Sequence, residues 1–101
     1  MVKITSQAAR QRLADVPGDK QFWCNDGRIL KNLEELATAL EQMSDDVYRF
    51  HVNEVKSDFS NWVKDVIGEE NLAKDLLKSV TRKQALISVN GRLKWLKEKV
   101  G

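Results

Sequence analysis

Phe59, Trp62, Val63, Val66 and Ile67 recur at i, i+3, i+4, i+7 and i+8, and the pattern stops at Gly68. Only an α-helix brings such positions onto one face, and a glycine at its end supplies an unstrained left-handed residue that terminates it. The residues before it repeat the logic. Leu33, Leu36, Ala37, Leu40 and Met43 form a stripe behind Asn32, an N-cap residue answered by Glu35 three positions on, as in a capping box. Ser44-Asp45-Asp46 breaks that stripe and offers a new N-cap, with acids in the first turn where the helix dipole favours them. The next helix is expected over roughly 45 to 55, with Val47, Tyr48, His51, Val52 and Val55 on one face. Lys56-Ser57 forms a joint, and Ser57 or Asp58 caps the helix that ends at Gly68.

The flanks fit the same scheme. Ser6 to Val16 is expected as a short helix capped by Ser6, because Pro17-Gly18 forbids continuation. Near residues 21–30, two short apolar pieces surround Asn25-Asp26-Gly27, the turn chemistry of a small β-hairpin. Phe22 and Trp23 then face opposite sides, so one of them is available as an exposed contact anchor. Beyond Gly68, Glu69-Glu70 open a short helix, their carboxylates placed in its first turn, with Leu72, Ala73, Leu76, Leu77 and Val80 inward. Thr81 with Gln84 forms a second capping box before Leu86, Val89, Leu93, Leu96 and Val100. Asn90-Gly91 inside that segment is also a hairpin cue. The stripe crosses it in register and favours one helix, at a cost of about 1 kcal/mol for the glycine relative to alanine.

With 101 residues, the chain suits one domain with one core. The fold class expected is mainly α: a compact domain of five to six helices with one small hairpin. Within it, 1–19 form an N-terminal helix and turn, 20–77 the central core and 78–101 a basic C-terminal helix. Cys24 is the only cysteine, which excludes an intramolecular disulfide and a cysteine-based zinc site and points to a reducing compartment. No apolar run approaches the roughly 18 residues of a membrane span, and MVKITSQAARQRL lacks the apolar core of a signal peptide. A cytoplasmic location without membrane contact is the expectation.

The run from the hairpin to the acidic Leu-Ala helix resembles a family of small uncharacterised domains from archaeal and bacterial proteins. In that family a glycine turn and a Leu-rich helix precede H-V-N, then N-D-F, two residues, W-V/I and V-I/L-G. The resemblance covers about residues 20–77 and rests on Gly27, Leu33, Leu36, Leu40, His51, Asn53, Asp58, Phe59, Trp62 and Gly68. It implies no established activity. Ser57 stands where the family pattern has asparagine, which argues against a catalytic role for that side chain.

Two groups of residues carry candidate chemistry. His51, the only imidazole, lies seven residues before Asp58. The pair suits a general base, but no serine sits in a nucleophile-elbow context, and a structural polar clasp between consecutive helices explains both residues. The second group is basic. Lys78, Arg82, Lys83, Arg92, Lys94, Lys97 and Lys99 oppose Glu98 alone, a local charge of +6, whereas residues 1–77 sum to −4. With Trp95 and Ile87 also off the apolar stripe, this segment either docks on the acidic body, contacts DNA or RNA phosphates, or meets a protein partner or a second copy. Scattered carboxylates with one His and one Cys give no metal cluster, and no Gly-rich phosphate loop points to a nucleotide cofactor. The reading is a non-catalytic interaction module, neither an enzyme nor a small-molecule processor. Candidate contact residues are Trp23 and the basic face, and sequence-independent nucleic-acid binding is the alternative.

Overall fold

The computed structural model describes residues 4–100. Its elements run α1 (Ser6–Leu13), β1 (Phe22–Trp23), β2 (Ile29–Leu30), α2 (Leu33–Gln42), α3 (Asp45–His51), α4 (Asp58–Trp62), α5 (Glu70–Leu77) and α6 (Arg82–Val100). The domain is mainly helical with one small antiparallel hairpin, as the sequence predicts. Local polar side chains start most of the helices. Asn32 accepts from the Glu35 N–H at 2.8 Å, Ser44 from Val47 at 3.1 Å, Ser57 from Ser60 at 3.2 Å and Thr81 from Gln84 at 3.2 Å. Each such cap is worth about 1 kcal/mol. For α1 the cap is Thr5, which accepts from the Ala8 N–H, and not Ser6. This helix also ends at Leu13, short of the expected Val16. Ala14 turns extended, and the Val16 N–H donates to the Lys31 carbonyl beside the hairpin.

The hairpin pairs Phe22 with Leu30 and Trp23 with Ile29. Gly27, at φ 94°, allows the tight return: its N–H donates to the Cys24 carbonyl at 3.0 Å, and the Cys24 N–H donates to Arg28 at 2.8 Å. Phe22 is turned inward against Phe59 and Trp62, with ring centroids 5.0 and 5.8 Å away. The two strands therefore rest on helices and do not stand alone.

Two further expectations, in α3 and α5, fail. α3 stops at His51 and not near 55, because Asn53 competes for the backbone. Its Oδ1 accepts from the Val55 and Lys56 N–H groups, and its own N–H donates to the Lys56 carbonyl. Val55, expected inward, is 91% exposed on this turn. α5 buries Leu72, Ala73 and Leu76, whereas Leu77, its last residue, and Val80 beyond it lie outward at 66% and 81% exposure.

The segment closed by Gly68 is helical, but its second half widens. Val63–Ile67 form a π-turn, in which the Val63 carbonyl accepts from both Gly68 and Glu69 at 2.8 and 3.1 Å. Gly68 sits at φ 84°, as a helix-stopping glycine should. α6 runs unbroken through Asn90-Gly91 and buries Ala85, Val89, Leu93 and Leu96 against α1 and α2. The α2 leucines Leu33, Leu36 and Leu40 join Phe59, Trp62, Val63, Leu72 and Leu76 in the same core, with Val47 and Val66 half-buried at its margin. A radius of gyration of 12.9 Å is that of a single packed body of this length, for which about 13 Å is expected.

Candidate functional site

His51 lies at the end of α3, 4% exposed, with its ring 5.1 Å from Phe22 and 5.2 Å from Phe59. Both nitrogens are engaged. Nε2 accepts from the Asn25 N–H at 2.9 Å, and Nδ1 lies 3.0 Å from Asp58 Oδ2. A backbone N–H can only donate, so Nε2 is an acceptor and the ring proton sits on Nδ1, donated to Asp58. The Lys56 ammonium shares the same carboxylate oxygen at 3.1 Å. Hairpin, α3 and α4 are thereby tied through one imidazole. Both ring nitrogens therefore have partners within the chain.

The basic segment divides into two sets. Arg82, in the first turn of α6, crosses to the C-terminus of α2, where it donates to the Leu40 carbonyl at 2.8 Å and pairs with Asp45 at 3.0 Å. Unsatisfied helix-end carbonyls are natural partners for a guanidinium. Arg92 binds Glu69 and stacks on Trp95, 3.9 Å from the ring centroid, while Lys97 pairs with Glu34. These three cations pair α6 with the acidic body, the first of the alternatives open to the basic segment, Arg82 and Arg92 partly buried and Lys97 at the exposed surface. Trp95 is half-buried under Arg92. Among the described residues, Lys78, Lys83, Lys94 and Lys99 make no ion pair, although Lys99 lies 5.5 Å from the Trp95 ring.

Glu69 departs furthest from expectation. It occupies the N-cap position of α5 but caps nothing with its side chain. The carboxylate is fully buried, 2.7 Å from Arg12 of α1 and 2.5 Å from Arg92 of α6. A buried carboxylate is tolerable when paired and hydrogen-bonded in this way. One acid thus holds three helices. Its neighbour Glu70 remains an exposed first-turn acid.

Apart from Phe50, Val55 and Ile87, the exposed large apolar side chains fall in two places. Trp23, 73% exposed, stands opposite Ile29 in the hairpin register, so the two share the outer face. The second place is a groove of about 390 Å³ where the α3–α4 turn meets the α5–α6 joint. Val52, Leu77 and Val80 line it, with Arg49 and Glu54 of opposite sign. The helical period of α5, carried on through Leu77 and Val80, wrongly turns both inward. Ile87 is exposed further along, on α6.

Three groups show perturbed titration. Burial pushes the Cys24 thiol and the Tyr48 phenol above their ordinary values. At Asp26, desolvation is outweighed by the Arg28 N–H and guanidinium and by Cys24, which together hold the carboxyl low. Among the described residues no group of three or more His, Cys, Asp or Glu side chains is placed to hold a metal ion, and no helix is long and apolar enough to cross a membrane. No protein-family model matches the chain, and no curated protein or solved structure matches it either.

Proposed function

We propose that the chain is a non-catalytic macromolecular interaction module, and that its partner is a protein segment that inserts an apolar side chain into the groove at Val52, Leu77 and Val80. The observation that carries this reading is the exposure of Leu77 and Val80 at 66% and 81% around a formed depression. Apolar side chains gathered at a depression mark contact surfaces more often than singly scattered ones. Arg49 and Glu54 at the groove cancel in charge, which suits a mixed protein segment better than a phosphate backbone. The non-catalytic part of the reading is supported by His51, whose nitrogens are both committed internally.

Sequence-independent nucleic-acid binding by α6 is the competing reading. It draws on Lys78, Lys83, Lys94 and Lys99, since Arg82, Arg92 and Lys97 are held by the protein's own acids. Fewer phosphate contacts mean a weaker and less salt-dependent complex.

Capture from native lysate, with and without nuclease, separates the two. The Leu77→Ser/Val80→Ser double variant should fold as the parent does, because both side chains are largely exposed, yet lose a nuclease-resistant protein partner. Equal capture by variant and parent overturns the groove assignment. A nuclease-sensitive complex that is lost in Lys83→Glu/Lys94→Glu replaces it with the nucleic-acid reading. Sedimentation of the purified chain tests whether the partner is a second copy.

A further inference from the structure

An open cavity of about 720 Å³ lies where α1, the π-turn, α5 and α6 meet. Arg12, Lys64 and Arg92 bring three cations to its wall, Glu70 brings one acid, and Glu69 lies buried directly behind Arg12 and Arg92. The five charges leave a surplus of one positive charge at the cavity. A surplus of that kind is least costly when an anion completes it.

The donors are also incompletely used. Among the described residues, Arg12 engages only Nη1, leaving Nε and Nη2 without a protein acceptor, and Arg92 engages Nε and Nη2, leaving Nη1. The buried Glu69 carboxylate holds both guanidinium groups in place, so their remaining N–H groups are oriented before any ligand arrives. The π-turn contributes Lys64 to the same wall, with Gly68 at its end, and such turns recur at functional sites. Ile4, Ala8 and Trp95 supply an apolar side.

We propose that this cavity binds a small organic anion, its oxyanion held by the uncommitted N–H groups of Arg12 and Arg92 with Lys64, and its apolar body against Ile4, Ala8 and Trp95. The site is separate from the groove at Leu77 and Val80, and its existence does not depend on that assignment. Carboxylate and phosphate monoester share the required chemistry.

The test is a titration of the ¹⁵N-labelled full chain, followed by NMR at the arginine Nε–H and indole Nε1–H signals, with phenyl phosphate, benzoate and inorganic phosphate as probes. Saturable shifts at Arg12, Arg92 and Trp95 are expected with phenyl phosphate or benzoate, and the tighter of the two identifies the head group. Inorganic phosphate should move the arginines more weakly and leave Trp95 nearly unmoved. Arg28 and Trp23, on the hairpin, serve as internal controls. Because Arg12 and Arg92 also hold Glu69, the variant of choice is the exposed Lys64→Gln, expected to weaken binding about threefold or more at unchanged melting temperature. Linear, non-saturating shifts spread over all arginines overturn the proposal, as does undiminished affinity in Lys64→Gln.

Discussion

Glu69 Oε2 accepts from Arg12 Nη1 at 2.7 Å across 57 positions of sequence, with the carboxylate wholly shielded from water. Arg92 donates from Nε to the other oxygen and from Nη2 to Oε2 as well. Truncating one member of such a group leaves charges without their partner in a desolvated place. Glu69→Ala is therefore expected to cost about 3–5 kcal/mol, read as a drop in urea midpoint at constant slope. Glu70→Ala, one residue away but exposed, should stay within about 0.5 kcal/mol. Similar losses for the two would show that the ion cluster does not hold the helices.

His51 gives a second prediction, about coupling. Replacing it with alanine opens space among Phe22, Phe50 and Phe59 and leaves the Asn25 N–H without its acceptor. The expected cost is about 2–4 kcal/mol. Asp58→Asn keeps the shape and removes the charge, and should cost about 1 kcal/mol. If the two side chains work as one clasp, the double variant costs less than the sum, with a coupling of about 0.5 kcal/mol or more. Strict additivity in denaturant unfolding would remove the clasp.

These two sites differ in how far the sequence reveals them. His51 and Asp58 are seven residues apart on consecutive elements, so local spacing suggests their meeting. The stripes of α2 and α6 are equally local, because a helix converts spacing into a face without reference to the rest of the chain. Glu69 finds its partners 57 and 23 residues away, and no period encodes that. The same holds for Arg82, which looks like a surface cation until α2 is seen to end beneath it. The early stop of α3 is a different failure: Asn53 carries the turn chemistry in plain view, but the apolar Val52 and Val55 continue the helical period and mask it.

Two glycines give opposite expectations from one substitution. Gly68 sits at φ 84°, where a Cβ is strained, so Gly68→Ala should destabilise by about 1 kcal/mol. Gly91 lies inside α6, not at positive φ, with nothing within 4 Å of an added Cβ. Gly91→Ala should stabilise by about 0.5–1 kcal/mol. Thermal melts of the two variants check both signs. Loss of stability on substituting Gly91 would mean that α6 bends there in solution.

Alkaline conditions should loosen the domain through Tyr48 and Cys24. Tyr48 is buried with its hydroxyl donating to the Ser79 carbonyl at 2.9 Å, and burial raises its pKa above the ordinary value of 10.0. The unfolded chain therefore loses that proton first. The stabilisation is fully present below pH 10.0 and is lost as pH rises through the higher folded value. Cys24, raised from 9.0 by burial, adds a slope of the same sign that begins about one pH unit lower. Tyr48→Phe should be less stable at neutral pH by about 1 kcal/mol, since the Ser79 carbonyl loses its donor. Above pH 10.0 the parent should fall towards it, because phenylalanine has no proton to lose. Making the comparison in a Cys24→Ala background isolates the phenol, and parallel curves through the alkaline range would mean that Tyr48 ionises as readily in the folded chain as in the unfolded one.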